Sequence, residues 1–207
     1  SRNLMQDQIA NVFHDNNLQR LANSHEIPTE LTWLQLQKYT LKSTNQTLKY
    51  NISLLDDFVD TTKQQLLFYL DIKQHGYQKN GFRKMAQLLN KFLYKYQWYD
   101  KVLVASGNVF FVAYISYFYP QINTVLEGVY HFDCYWFHWI PQKFRADFIA
   151  CNQRGFTPAY SQYLHKTKYI NQFIAYGVND ENYAYLNSLQ IKHAIVDYFP
   201  NLMLYEE

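Results

Sequence analysis

The chain has 207 residues, enough for one sizeable hydrophobic core and short for two. Charged residues make up 17% and the net charge is +2, with Lys and Arg scattered, so no basic face for nucleic acid is written into the pattern and nucleic acid is not an expected partner. Aromatic residues reach 19%, a content that suits core and interface packing better than a specific ligand; Cys134 and Cys151 lack metal-ligand spacing, so neither a metal site nor a redox compartment follows from them.

The first eight residues carry no apolar core of the kind a signal peptide needs. Residues 9–13 form the first apolar run, a strand that delivers His14-Asp15 and then Leu18-Gln-Arg20. A histidine just past a strand end suits proton transfer near neutral pH, although an isolated His-Asp pair more often opens a surface turn. Pro28-Thr29 introduces a short helix over 30–37, and 53–61 is a helix with Leu54, Leu55 and Phe58 on one stripe. The strand 65–72 runs into Lys73, so Asp71 and Lys73, two residues apart, project from one face. His75, in Lys-Gln-His-Gly, reads as a loop histidine near the same place.

Helix 82–96 has Phe82, Met85, Leu88, Leu89, Phe92 and Leu93 at helical spacing. A strand at 101–105 and a helix at 109–119, apolar almost all round, lie in the uncharged run between Lys101 and Glu127. Ser106-Gly107-Asn108 and Pro120-Gln-Ile-Asn interrupt that run, so it reads as strand, turn and helix rather than a membrane span, and the chain reads as soluble. Glu127-Gly128 ends the next strand, 124–126, and is either a binding position or a loop boundary. Residues 130–139 fit neither period; His131, Asp133, Cys134 and His138 match no usual zinc spacing and sit among Trp136 and Trp139. Strands at 147–150, 171–177 and 194–197 complete the series, with Thr157-Pro158 opening one helix and Asn179-Asp180 capping another. Strands alternating with helices indicate β-α units around a parallel sheet, seven strands in all and one short of a closed barrel.

The segment His14-Asp15, Leu18, Arg20, the run Phe68-Tyr-Leu-Asp-Ile-Lys73, the strand Phe173-Ile-Ala-Tyr-Gly-Val-Asn-Asp180 and the strand Ile191-Lys-His-Ala-Ile-Val-Asp-Tyr-Phe-Pro200 resemble, in this order, the glycerophosphodiester phosphodiesterase family. Its members carry His-Asp-x-x-Leu-x-Arg, Leu-Glu-Ile-Lys, a Trp-Thr-Val-Asn-like strand and a closing Gly-Ile-x-Thr-Asp-x-Pro. The resemblance runs from about residue 5 to residue 200. It implies an α/β fold, an incomplete or degenerate (β/α)8 TIM barrel with its site at the C-terminal strand ends. It also implies one domain over 1–207 that matches the family's C-terminal portion, lacks the N-terminal His-Arg-Gly and Glu-x-Asp motifs, and misses its first strand.

The activity implied is metal-dependent hydrolysis of glycerophosphodiesters to glycerol 3-phosphate and an alcohol in the complete protein. Two histidines act as acid and base, and carboxylates hold a divalent cation, calcium or magnesium. Carried over by position, His14 matches the second catalytic histidine, Asp71 a metal-binding Glu, Lys73 the phosphate-contacting Lys, and Tyr176 the aromatic wall for the glycerol moiety. Arg20 belongs to the motif's scaffold, holding the loop through backbone carbonyls. The same register puts Ser1 at a metal Asp and Asp7 at a turn Asp, which leaves Asp71 as the one carboxylate ligand, too few for a hard cation. Two expectations follow: a hydrolase domain whose partners lie upstream, or a catalytically inactive relative acting as a binding or interaction module. The implied partner is a small-molecule glycerophosphodiester. The aromatic surface offers a contact for a partner or for another copy of this chain, a homo-oligomer, and the family's fused members imply a soluble domain joined to a membrane region in a longer parent.

Overall fold

The computed structural model describes residues 2–4, 10–42, 49–61, 67–73, 81–129 and 139–196. The N-terminal part is a set of short elements. Strands β1 (Arg2–Leu4) and β2 (Ala10–Val12) pair antiparallel; after helices α1 (Gln19–Ala22) and α2 (Trp33–Leu36), strands β3 (Thr40–Lys42) and β4 (Lys49–Asn51) form a separate antiparallel pair. Strand β5 (Ser53–Leu54) then adds to the free side of β2 and leads directly into helix α3 (Leu55–Thr61).

The rest alternates strand and helix: β6 (Phe68–Asp71), α4 (Phe82–Tyr96), β7 (Val102–Ser106), α5 (Val109–Phe118), β8 (Thr124–Val129), β9 (Phe148–Asn152), α6 (Pro158–Thr167), β10 (Phe173–Val178), α7 (Asp180–Ser188) and β11 (His193–Val196). The six strands from β6 to β11 lie side by side in chain order, every neighbouring pair parallel, and form a curled half-barrel. This is the incomplete barrel the sequence leads one to expect.

Alternation along each strand sorts the side chains between the two faces. Leu70, Ile72, Val102 and Val104 pack outward against Met85, Leu89 and Leu93 of α4 and against Phe111 and Ile115 of α5. Ile149, Cys151, Phe173 and Ala175 pack outward against Tyr160 and Leu164 of α6 and Leu186 of α7. Inside the curl, Ala105, Val125, Ala150 and Ile174 are buried with Tyr69, Leu103, Phe148, Tyr176 and Ile195 around them. A sheet covered on both faces explains why these strands read as apolar runs.

Helix starts follow the sequence. Asn108 Oδ1 accepts from the Phe110 and Phe111 N–H groups at 3.0 and 3.1 Å, Thr157 Oγ1 from Tyr160 N–H at 3.2 Å, and Asn179 Oδ1 from Glu181 and Asn182. It is Asn179, with Asp180 as first helical residue, that caps α7.

Three expectations need correction. The run 9–13 does make a strand, but β2 lies between β1 and β5 in an antiparallel sheet and is no part of the parallel half-barrel. The helix expected over 30–37 is broken: a 3-10 turn at Pro28–Glu30 ends in extended Leu31, and α2 starts afresh where Gln35 Oε1 accepts from Thr32 N–H at 2.9 Å. The helix expected from 53 begins at Leu55, because Ser53 and Leu54 are used as a strand.

Ser1, Asp7, His75, residues 130–138 with His131, Asp133, Cys134 and His138, and residues 197–200 lie outside the described residues. No helix among the described residues is long and apolar enough to cross a membrane.

Candidate active site

The C-terminal strand ends of the half-barrel enclose a cavity of about 750 Å³ whose lining includes His14, Tyr69, Asp71, Lys73, Glu127 and Tyr176. His14, Asp71, Lys73 and Tyr176 all line this cavity although they come from three distant segments. Period-two alternation on β6 places Tyr69, Asp71 and Lys73 on the inner face while Leu70 and Ile72 go to the core. Ser106 Oγ donates to Ile72 O at 2.7 Å and pins the strand ends together at this mouth.

Lys73 Nζ lies 2.8 Å from Asp71 Oδ2 and 3.5 Å from Glu127 Oε2. Tyr69 O–H donates to Glu127 Oε1 at 2.7 Å, so the Glu127 carboxyl is held at both oxygens. Burial, then the neighbouring Asp71 charge, pushes the Glu127 carboxyl above its ordinary value, against the opposing pull of Tyr69 and Lys73. Burial draws the Lys73 ammonium down, but the bond to Asp71 and the charges of Asp71 and Glu127 outweigh it and hold it above the usual lysine value. Burial and the Glu127 charge likewise push Tyr69 upward, so its hydroxyl stays a donor.

Two matching irregularities aim side chains into this cavity. The β8–β9 register shifts between Glu127 and Val129, and the β10–β11 register between Tyr176 and Val178. The intervening Gly128 and Gly177 have φ of 70° and 72°, a conformation costly for any residue with a Cβ. Bulges of this kind re-aim the residue beside them, here Glu127 and Tyr176.

His14 enters from the loop after β2. Its Nδ1 is 2.9 Å from Asp15 Oδ1, and Arg20 grips the same carboxylate through Nε at 2.6 Å and Nη2 at 3.0 Å. The Arg20 bond holds Asp15 below the usual carboxylate range despite partial burial, and His14 lowers it further. An ionised carboxylate only accepts, so the bond to Asp15 places a proton on His14 Nδ1 and leaves Nε2 as the nitrogen that can exchange one. Arg20 thus supports the loop through Asp15, where backbone carbonyls were expected.

A divalent cation does not fit the described residues. No group of three or more His, Cys, Asp or Glu is placed to hold a metal ion among them, and the two carboxylates of the cavity, Asp71 and Glu127, both turn to the Lys73 ammonium. A calcium or magnesium ion needs several oxygens at once.

Glu127 and Tyr69 are the residues that sequence reasoning undervalues. Glu127 is legible only as a strand end, whereas Tyr69 shares the alternation that marks Asp71 and Lys73 and could have been read from it.

A parallel α/β half-barrel with a histidine, a lysine and carboxylates at its strand ends belongs to the class of barrel proteins whose sites lie at that face. The sequence matches no family model and no curated protein. Solved structures do match. A glycerophosphodiester phosphodiesterase from Parabacteroides distasonis aligns at TM-score 0.73 and 12% identity over 95% of this chain and 77% of that one. Its counterpart from Thermotoga maritima aligns at 0.70 and 15% over 94% and 78%. An Oleispira antarctica phosphodiesterase, solved with the product sn-glycerol-3-phosphate, aligns at 0.66 and 16% over 94% and 77%. The chain has the glycerophosphodiester phosphodiesterase fold.

Proposed function

We propose that residues 1–207 form a single glycerophosphodiester phosphodiesterase-like domain. Its mouth cavity binds a glycerophosphodiester and, in the complete protein, serves its hydrolysis to glycerol 3-phosphate and an alcohol. The observation that carries this reading is the convergence of His14, Asp71, Lys73 and Tyr176 on one cavity at the strand ends. Lys73 faces the phosphoryl oxygens: its longer contact, 3.5 Å to Glu127, is the one a phosphate displaces, while Asp71 at 2.8 Å keeps the ammonium in place. His14 takes or gives a proton at Nε2 as water adds to phosphorus and the bond to the alcohol oxygen breaks, with Asp15 fixing the ring. Tyr176 covers the glycerol carbons.

A second reading, a binding module without turnover, is favoured by Lys73: its ammonium already engages both carboxylates that would otherwise face a cation and offsets the charge of one of them. Both readings meet one experiment. The chain is incubated with glycerophosphocholine, with and without calcium or magnesium; glycerol 3-phosphate release is followed enzymatically and binding is followed by calorimetry. Release that His14→Ala abolishes supports the hydrolase. Binding without release supports the module, and neither binding nor release refutes both.

A further inference from the structure

Among the described residues that line the mouth cavity are two acidic groups, Asp71 and Glu127, and Glu127 is the one that a phosphate at Lys73 sets free. Glu127 lies at the end of β8, with 18% of its side chain exposed, held by Tyr69 O–H on Oε1 and by Lys73 on Oε2. A carboxylate repels a phosphate, so its presence beside Lys73 calls for a ligand with donors as well as an anion. The Gly128 bulge turns it into the cavity, and the Gly177 bulge two strands away does the same for the Tyr176 ring. An acceptor-only carboxylate and an aromatic face in one cavity suit a ligand that has hydroxyl donors on one side and C–H groups on the other.

We propose that Glu127, positioned by Tyr69 and the Gly128 bulge, forms a hydroxyl-recognising pole of the cavity, accepting hydrogen bonds from the vicinal hydroxyls of a polyol phosphate whose phosphate lies at Lys73. This deepens the glycerophosphodiester reading and rests on it. The site discriminates by what its ligand donates: a phosphate ester without hydroxyls leaves Glu127 facing an apolar group and loses that contact. Tyr69 acts as a positioning residue, since its hydroxyl holds Oε1 and fixes the carboxyl at the cavity wall.

The test is calorimetric titration of the whole chain with glycerol 3-phosphate and with ethyl phosphate, which carries the same charged group and no hydroxyls. The expected preference for glycerol 3-phosphate is about tenfold or more, the scale of hydrogen bonds to a charged acceptor. Glu127→Gln should bring the ratio of the two affinities close to one whatever happens to either alone, and Tyr69→Phe should reduce it partway. Tyr69→Phe keeps ring and packing, so it reports even if Glu127→Gln fails to fold. Equal affinities in the unsubstituted chain, or a preference that survives Glu127→Gln, overturn the assignment while leaving the glycerophosphodiester site standing. Binding of neither phosphate sinks both.

Discussion

Lys73 and Asp71 sit two residues apart at the end of one strand and are joined Nζ to Oδ2 at 2.8 Å, with Glu127 of β8 closing on the same ammonium at 3.5 Å. Side chains two apart on a strand share a face, so an acid and a base at this spacing meet without help from a loop. Among the described residues that line the cavity, this ammonium is the one Lys or Arg charge beside two part-buried carboxylates.

Lys73→Met keeps the length of that side chain and removes its charge, leaving Asp71 and Glu127 to face each other. Breaking a part-buried charge pair from one side costs about 1–3 kcal/mol. Urea unfolding should show this loss, and Lys73→Met combined with Glu127→Gln should recover part of it, since the two residues share one network. Full additivity of the two losses would mean that Lys73 and Glu127 are not coupled in the folded chain.

His14→Ala should lower any glycerol 3-phosphate release by roughly two to four orders of magnitude, the range for loss of a positioned proton-transfer group. Asp15→Asn leaves the histidine but removes the charged acceptor of its Nδ1 proton and the grip of Arg20, with an expected fall of about tenfold or more. Steady-state rates of the two variants decide: an unchanged rate in His14→Ala would separate His14 from the chemistry, and an Asp15→Asn protein as fast as its parent would do the same for Asp15.

The strands of the half-barrel are legible in sequence because burial on both faces makes them apolar runs, and helix starts are legible because Asn108, Thr157 and Asn179 are capping residues. The N-terminal region is not. Strands β1 to β5 are two or three residues long, and whether 9–13 joins a parallel or an antiparallel sheet is decided by partners far along the chain. The same division runs through the site. Asp71 and Lys73 follow from a local period, but Glu127 reaches them through the register of β6, β7 and β8 and a bulge at Gly128, which no local pattern states.

Acid should weaken the His14 loop through Asp15. Its carboxyl is depressed in the folded chain, chiefly by Arg20, below the ordinary 3.8. A depressed carboxyl contributes stability that is present above its unfolded value and lost as pH falls through the folded one. Stability should therefore fall from 3.8 downward, and Arg20→Gln should lose stability at neutral pH and show a shallower acid limb. Parallel acid limbs for the two proteins, followed by urea midpoints, would remove Asp15 from the account.

Gly128→Ala isolates the bulge from packing. An added Cβ at this position meets nothing within 4 Å, so the whole cost comes from holding an alanine at φ +70°, about 1–2 kcal/mol. Gly177→Ala should cost about as much for the same reason, because its nearest neighbour, Asn152 Nδ2, is at an ordinary 3.7 Å and φ is +72°. Where the two differ is at the cavity. If the chain relieves the strain at 128 by straightening β8, Glu127 swings away from Tyr69 and the preference for glycerol 3-phosphate over ethyl phosphate falls; relief at 177 instead moves the Tyr176 ring and leaves the Tyr69–Glu127 bond intact. Thermal melts give the common cost, and calorimetric titration with the two phosphates separates the variants: an unchanged preference in Gly128→Ala would show that the bulge does not aim Glu127.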